Sequence, residues 1–238
     1  MPRYENVLVT GASRGLGAAL SRELLGRGHR IVLTARNAAE LAQAAESLRA
    51  QHGERVGWIA ADLSDPAVAQ ALVAQVEHRY GALDALINNA GIGAWKPLVD
   101  WTPQEVIACV NLNLIAPMLL SQAVLPGMVA RRRGIIVNIA SDLARRPLAN
   151  MAPYVATKFG LLGFSGSLLR EARAHGIKVS AVLPGIIDTA FNGAQEGSKD
   201  ERWALRSAAL AGQVVALLEL PENVVVDELT IHPVHQDY

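Results

Sequence analysis

Tyr154 and Lys158 lie four positions apart in a segment whose pattern predicts a helix, so a phenol and an ammonium share one helical face. An isolated tyrosine has a pKa of about 10 and exchanges protons poorly near neutral pH. A neighbouring cation favours the phenolate, which predicts a lowered pKa for Tyr154 and a role as general acid or base. Because the same spacing also occurs on solvent-exposed helices, this interpretation depends on the rest of the chain.

A glycine-rich turn follows the first apolar strand and leads directly into a predicted helix. Its glycines permit a tight turn and a close backbone approach at a helix N-terminus, where an anion is favoured. We therefore predict a site for the pyrophosphate of a dinucleotide. The G-x-x-x-G-x-G spacing differs from the general G-x-G-x-x-G fingerprint, and a purely structural turn is the alternative. The predicted contacts are Gly11, Ser13, Arg14, Gly15, Leu16 and Gly17.

The end of the second predicted strand indicates which dinucleotide is bound. A free ribose 2′-hydroxyl usually meets an acidic residue there, but this strand ends in Thr34-Ala35-Arg36-Asn37 without an acid. Arg36 and Arg14 together would form a charge-assisted clamp on a 2′-phosphate, which predicts NADP(H) rather than NAD(H). Two solvated surface arginines are the alternative interpretation.

Short apolar strands alternate with longer helical patterns along the whole chain. This alternation is typical of a parallel sheet with helices on both faces. We predict an α/β fold with one Rossmann-type doubly wound domain over 1–238, whose N-terminal half binds the cofactor and whose C-terminal half binds substrate. The predicted strands are 7–10, 31–35, 56–61, 85–87, 135–139, 179–183 and 224–231, the helices include 18–27, 38–51, 66–80, 103–131 and 153–175, and a lid covers about 190–207.

The composition excludes several classes of partner. Lysine plus arginine and aspartate plus glutamate number 22 each, so no net charge attracts the chain to nucleic acid or to an anionic membrane. Cys109 is the only cysteine, which excludes an intramolecular disulfide and fits the reducing cytoplasm. We expect no signal peptide and no apolar stretch long enough to span a bilayer. His232 and His235 lack a carboxylate or cysteine partner in the sequence, so we predict no metal.

Several motifs occur in a fixed order at compatible spacing. They are TGASRGLG at 10–17, Asn88-Asn89-Ala90-Gly91, Asn111, Ser141, Tyr154 with Lys158, and Pro184-Gly185 with Thr189. Together they resemble the short-chain dehydrogenase/reductase family over about the first 190 residues. The resemblance implies a Rossmann-type sheet of seven parallel strands and an oxidoreductase activity.

The resemblance also implies roles for single residues. Further cofactor contacts would be Asp62 and Leu63 at the adenine, Asn89, Ala90 and Gly91 on the ribose side, and Pro184, Gly185, Ile187 and Thr189 at the nicotinamide end. Hydride transfer to a carbonyl leaves an alkoxide, which needs a proton and hydrogen-bond donors. Tyr154 would donate that proton, Ser141 would bind the carbonyl oxygen, and Lys158 would lower the phenol pKa and bind the nicotinamide ribose. Asn111 would hold a water that links Lys158 to solvent.

The end of the chain departs from the family pattern. Ketoacyl-carrier-protein reductases usually close with a glycine-rich strand, whereas this chain closes with ELTIHP at 228–233, so we do not expect acyl-carrier-protein reduction. We expect a homodimer or homotetramer packed through the helices that contain 116–129 and 160–169. Arg145 and Arg146 lie between the serine and the tyrosine, where they could receive an anionic substrate or could face solvent or pair with an acid.

The sequence therefore predicts an NADP(H)-dependent oxidoreductase that interconverts a small ketone or aldehyde and its alcohol. One alternative is an NAD-dependent alcohol dehydrogenase of the same family, and another is a non-catalytic NADPH-sensing protein. Sugar-nucleotide epimerases also use a tyrosine and a lysine, but they need a larger substrate domain than the residues after Thr189 provide. The identity of the substrate is not readable from the sequence, because fold does not determine function.

Overall fold

The computed structural model of the chain describes residues 4–236. In chain order, the strands are β1 Asn6–Thr10, β2 Arg30–Ala35, β3 Val56–Ala60, β4 Ala85–Asn88, β5 Gly134–Ile139, β6 Ile177–Pro184, β7 Ile187–Asp188, β8 Leu205–Arg206 and β9 Glu228–Ile231. The α-helices are α1 Gly15–Gly26, α2 Ala38–His52, α3 Val68–Tyr80, α4 Pro103–Val110, α5 Ala116–Arg131, α6 Ala152–Ala172 and α7 Ser207–Glu219.

Seven of the strands form one sheet in the order β3-β2-β1-β4-β5-β6-β9, and all their pairings are parallel. The central strands are buried on both faces, which explains why their sequences are nearly continuous apolar runs. The predicted fold class is confirmed. The strand order reverses between β1 and β4, and open parallel sheets bind ligands beyond the carboxyl ends of the strands at such a point.

Each face of the sheet has its own apolar core and its own layer of helices. Successive side chains of a strand point to opposite faces, so Val7 and Val9 join one core and Leu8 joins the other. Helices α1, α2 and α7 cover the first face, and α3, α5 and α6 cover the second. Each fully buried Leu, Ile or Val contributes roughly 1.5–3 kcal/mol by burial. This packing makes the sheet a rigid support for the loops at its carboxyl edge.

The predicted helix over 103–131 is divided by a π-helical segment, Asn111–Ile115, between α4 and α5. Its predicted start is confirmed, because Thr102 and Glu105 form a capping box: the Thr102 hydroxyl accepts from Glu105 N at 3.2 Å, and the Glu105 carboxylate accepts from Thr102 N at 2.8 Å. The wider π turn rotates the residues that follow it and buries Asn113, whereas Asn111 is only half-buried.

Several predicted boundaries are wrong. Helix α3 begins at Val68 and not at residue 66, because the Asp65 carboxylate accepts from Ala67 N at 2.9 Å and closes a local turn before the helix. The last strand begins at Glu228 and not at 224, because Val224 N bonds to Pro221 O in a turn. Helix α7 was not predicted: its sequence is nearly all apolar, and no side chain caps its first turn in the described structure.

The helical run 103–131 is long and apolar enough to cross a membrane by length and composition. The expectation that no apolar stretch reaches that length is therefore wrong. The core helix of a water-soluble protein passes the same test, and this run contributes Leu120, Val124 and Met128 to the core under the sheet. Its length and composition alone give no reason to place it in a bilayer.

Candidate active site

The glycine-rich turn after β1 packs tightly against the loop after β4. Gly11 has a φ of +64°, and a Cβ on it would lie 2.9 Å from the Cα of Ala90. The Thr10 hydroxyl oxygen accepts from the backbone N–H groups of Asn89 and Ala90, both at 2.9 Å, and Asn89 Nδ2 donates to Thr10 O at 2.8 Å. Gly91 follows in the same loop. The structure thus brings together the predicted contacts from the first and fourth strands.

The N-terminus of α1 opens into the same crevice. Among the described residues, no side chain caps its first turn, so the backbone N–H groups there are free to bind an anion. A Cβ on Gly17 would collide with the Gly11 carbonyl, and a Cβ on Gly15 would touch Thr189 Cγ2 at 3.4 Å. The turn that is predicted to bind the pyrophosphate therefore faces Thr189, which is predicted to contact the nicotinamide end of the cofactor. These cradles fit a dinucleotide cofactor.

Two exposed arginines follow the first two strands of the sheet, where the sequence predicts the 2′-phosphate contact. Arg14 precedes α1 and Arg36 follows β2, and neither forms an ion pair within residues 4–236. A hydrogen bond from Ser64 lowers the pKa of Asp62, and the charge of Arg36 lowers it further, which places Arg36 near Asp62. Leu63 is buried beside Asp62. Both guanidinium groups are free to bind a phosphate.

Tyr154, Lys158 and Ser141 form one buried cluster at the carboxyl end of β5. Tyr154 and Lys158 lie one turn apart on α6, and Lys158 Nζ lies 5.5 Å from the centroid of the phenol ring. Ser141, just after β5, lies close enough to the Tyr154 hydroxyl to affect its pKa. Lys158 Nζ donates to Ile139 O at 2.8 Å. The predicted phenol, ammonium and serine hydroxyl are therefore together.

The predicted lowering of the phenol pKa is wrong for the protein without cofactor. Burial raises the pKa of Tyr154 to about 12, and the nearby Ser141 hydroxyl offsets only part of that effect. The negative charge of Asp142 raises it further. Burial also lowers the pKa of Lys158 to about 8. Desolvation of the phenolate dominates the shift, and the Lys158 ammonium donates a hydrogen bond to the Ile139 carbonyl.

The structure separates Asn111 from this cluster and brings Asn113 to it. Asn111 Nδ2 donates to Ser64 O at 3.0 Å, on the side of α3. Asn113 is fully buried and binds both backbone groups of Ile92, accepting from N at 2.8 Å and donating to O at 2.7 Å. Its Nδ2 also lies 3.2 Å from the hydroxyl of Thr157, the neighbour of Lys158. The π turn buries Asn113, and the sequence motif alone did not indicate this burial.

The loop after β6 carries the residues predicted for the nicotinamide end. Pro184 ends β6, Gly185 N donates to Ile231 O at 2.8 Å, and Ile187 starts the short strand β7. Thr189 is buried. The predicted lid over 190–207 follows, and its end pairs with β7 through β8. These residues therefore lie along one edge of the crevice, opposite the glycine-rich turn.

The substrate side of the cluster is largely apolar. The ring of Phe191 lies 5.8 Å from the Tyr154 ring, and Met151 is buried against the same phenol. Trp95 is 60% exposed, so it is not packed in the core beside this cluster. Arg145 pairs with Glu228, and Arg146 Nη2 pairs with the Asp142 carboxylate at 3.1 Å. The two arginines thus pair with acids, so they give no support to an anionic substrate.

The two histidines of the C-terminal segment have other contacts. His232 Nε2 lies 3.5 Å from the Asp142 carboxylate, and the His235 ring lies 6.0 Å from the Trp203 ring. Within residues 4–236, His, Cys, Asp and Glu side chains form no group of three that could hold a metal ion.

Known proteins resemble this chain in both sequence and fold. A family model described as short chain dehydrogenase matches residues 5–200. The 3-oxoacyl-[acyl-carrier-protein] reductase FabG of Vibrio harveyi is 33% identical over 234 residues, covering 94% of this chain and 93% of that protein. An alcohol dehydrogenase from the archaeon Thermococcus sibiricus, solved with 5-hydroxy-NADP, is 28% identical, has a TM-score of 0.92 and covers 98% of both chains. A metagenomic short-chain oxidoreductase solved with NADP is 35% identical, with a TM-score of 0.84 and 96% coverage of both chains.

Proposed function

The chain belongs to the short-chain dehydrogenase family, and from this premise we propose that it is an NADP(H)-dependent oxidoreductase that interconverts a ketone or aldehyde and its alcohol. One observation carries the proposal: Tyr154, Ser141 and Lys158 are buried together where the dinucleotide crevice ends. A phenol, a serine hydroxyl and an ammonium at one point are the groups that a carbonyl oxygen needs when it gains a hydride and a proton.

The choice of NADP(H) rests on Arg14 and Arg36. Both are exposed beyond the ends of β1 and β2, neither forms an ion pair in the described part of the chain, and residues 34–37 at the end of β2 include no acid. Two guanidinium groups are suited to a 2′-phosphate, whereas a 2′-hydroxyl has no carboxylate partner at this position. The proteins solved with NADP and 5-hydroxy-NADP support the same choice.

Bound NADPH would supply the hydride, and the side chains of this chain would control the substrate oxygen. Ser141 would donate a hydrogen bond to that oxygen, and Tyr154 would give it the phenolic proton. With its pKa raised to about 12, the phenol holds its proton at neutral pH and is ready to act as an acid. Oxidation would require the phenolate, so we expect alcohol oxidation to increase with pH.

In this proposal Asn113 takes the role that the sequence motif assigned to Asn111. Asn113 is buried beside Lys158, and a Cβ on Gly91 would lie 3.3 Å from Asn113 Oδ1 and 3.9 Å from Lys158 Nζ. The Asn113 amide and the Lys158 ammonium therefore both lie next to the loop at Gly91 that is predicted to contact the ribose. Asn113 would hold that loop in place through Ile92 and would connect the ammonium of Lys158 towards solvent.

We further propose that the protein acts as a homodimer or homotetramer packed through 116–129 and 160–169, and that residues 190–207 close over the substrate. The outer face of α6 supports the association: Phe159 is 42% exposed, and a Cβ on Gly163 would meet nothing within 4 Å. The single cysteine fits a cytoplasmic location, as the sequence predicts. Light scattering of the purified chain tests the association.

The deciding experiment is a panel of ketones, aldehydes and alcohols followed by NADPH absorbance, with NADH measured in parallel. The proposal expects turnover of at least one carbonyl compound and tighter binding of NADPH than of NADH. Equal use of both nucleotides would favour the NAD-dependent alternative. Tight NADPH binding without turnover of any compound would favour a nucleotide-sensing protein.

A further inference from the structure

The segment that follows β9, residues 232–236, crosses the active site and contacts three separate loops. It reaches Asp142 after the serine, the turn at Gly185 and Ile186 after β6, and the lid, where His235 N donates to Arg202 O at 3.3 Å. The family match ends at residue 200, so this segment lies outside it. The roles assigned so far use none of its side chains.

Gln236 uses both ends of its amide in this segment. Its Nε2 donates to the Asp142 carboxylate at 2.9 Å, and its Oε1 accepts from Ile186 N at 2.8 Å. Asp142 and Ile186 follow different strands, β5 and β6. One side chain therefore ties together two loops that are 44 residues apart in the sequence, since their numbers are 142 and 186.

The first of these loops carries the proposed catalytic serine. The Ser141 hydroxyl donates to Asp142 Oδ1 at 3.1 Å and accepts from Leu143 N at 3.2 Å. The Asp142 carboxylate is buried, and its other oxygen accepts from Gln236 and from Arg146 at 3.1 Å. The orientation of Ser141 therefore depends on a carboxylate that Gln236 holds from the opposite side.

The second loop carries the residues proposed for the nicotinamide end. Gln236 lies so close to it that a Cβ on Gly185 would collide with Gln236 Oε1 and would lie 2.8 Å from His232 Cδ2. Glycine at this position thus permits the close approach of the C-terminal segment. Ile186 directly precedes Ile187, and Thr189 follows two residues later. A hydrogen bond at Ile186 N therefore fixes the start of the loop that would meet the cofactor.

We propose that Gln236 is a positioning residue of the active site, which fixes the serine loop relative to the nicotinamide loop by joining Asp142 to Ile186. The role in catalysis rests on the proposed function, since it concerns the distance between the substrate oxygen and the hydride donor. An error of about 1 Å in such a distance can lower turnover by up to roughly 100-fold. Gln236 itself is not expected to touch substrate or cofactor.

Hydrogen exchange tests the positioning role without any substrate. In Gln236→Leu, which keeps the size of the side chain and removes both hydrogen bonds, the amides of 141–146 and 185–190 should exchange several-fold faster than in the native chain. Val234→Ala is the matched control, because Val234 lies in the same segment and is 93% exposed. Exchange in both loops as slow as in the native chain would overturn the proposal.

A second variant tests the two hydrogen bonds of the Gln236 amide one at a time. It also keeps the proposal testable if Gln236→Leu fails to fold. Gln236→Glu keeps an oxygen for Ile186 N but places a carboxylate against Asp142. The 141–146 amides should then exchange faster, while 185–190 should stay close to the native rate. Faster exchange over the whole chain would instead indicate a general stability role and would contradict the positioning role.

Kinetics with NADPH and ethyl acetoacetate as the probe carbonyl compound test the catalytic consequence. Gln236→Leu should lower kcat roughly tenfold, with NADPH affinity within about threefold of the native value, and Val234→Ala should change neither. Native kcat in Gln236→Leu would overturn the catalytic consequence. If the native chain reduces no compound of the panel, the proposed function is wrong. The hydrogen-exchange experiment then still decides whether Gln236 positions the two loops.

Discussion

Lys158 Nζ donates to the Ile139 carbonyl at 2.8 Å, so the ammonium on α6 is tied to the end of β5. The partner is neutral, and the side chain is 5% exposed. A buried ammonium with a neutral partner loses its proton readily, which is why burial lowers the pKa of Lys158 to about 8. The fold therefore buries a charge that lowers its own stability at neutral pH.

This burial predicts how stability changes with pH. The usual pKa of 10.5 applies to the unfolded chain, so the folded protein releases the Lys158 proton first, and its unfolding free energy rises from about pH 8 towards 10.5. Between pH 7 and pH 10 the gain is roughly 2–3 kcal/mol. Lys158→Met removes this term while leaving Tyr154 in place. Urea unfolding of both proteins at the two pH values should show the difference, and parallel pH profiles would contradict it.

Substitution of Tyr154 by Phe tests the proton donor. Tyr154→Phe keeps the ring beside Phe191 and in the cluster with Met151, and it removes only the hydroxyl. Turnover with NADPH should fall at least about 100-fold, in line with the loss of a general acid. NADPH binding, followed by its fluorescence, should stay within about threefold, because Tyr154 is only one of the many predicted cofactor contacts and the others stay in place. Unchanged turnover would remove Tyr154 from the mechanism.

Arg36 should determine the preference for the 2′-phosphate. Arg36→Ala removes a charge-assisted hydrogen bond of about 1.5–3 kcal/mol, so NADPH should bind roughly 10- to 100-fold more weakly while NADH binding stays the same. Arg22→Ala is the control, because Arg22 is an exposed arginine on α1. Titration of both nucleotides into the three proteins measures the effect. An equal loss for NADPH and NADH would refute the 2′-phosphate contact.

The strands were predictable because buried parallel strands are short apolar runs, and the glycine-rich turn and the Tyr154 pair have fixed local spacing. The assignment of Asn111 failed for a physical reason. Asn111 and Asn113 are two residues apart in one helical run, and only the π turn between α4 and α5 decides which amide is buried. The sign of the Tyr154 pKa shift also failed, because it depends on burial by residues distant in the sequence.

The two asparagines can be separated by experiment. Asn113→Ala removes the side-chain hydrogen bonds to both backbone groups of Ile92 and leaves Ile92 N without this partner, so it should lower the unfolding free energy by about 1–3 kcal/mol and lower kcat at least tenfold. Asn111→Ala loses one half-exposed hydrogen bond to Ser64 O and should keep most of its turnover. Thermal unfolding and NADPH oxidation measure both. The reverse pattern would restore the role first assigned to Asn111.

Asp188 should control the lid. Its carboxylate is buried, accepts from Gly197 N at 3.1 Å and pairs with Arg206, so it holds the middle and the end of 190–207 together. Asp188→Asn removes the charge and should release the segment, so trypsin should cleave after Lys199 and Arg202 several-fold faster and the KM for the carbonyl compound should rise. Asp200→Asn is the matched control, because Asp200 is exposed in the same segment and its carboxylate pairs only locally, with Arg202. Cleavage of Asp188→Asn at the native rate would show that the lid is held by other contacts.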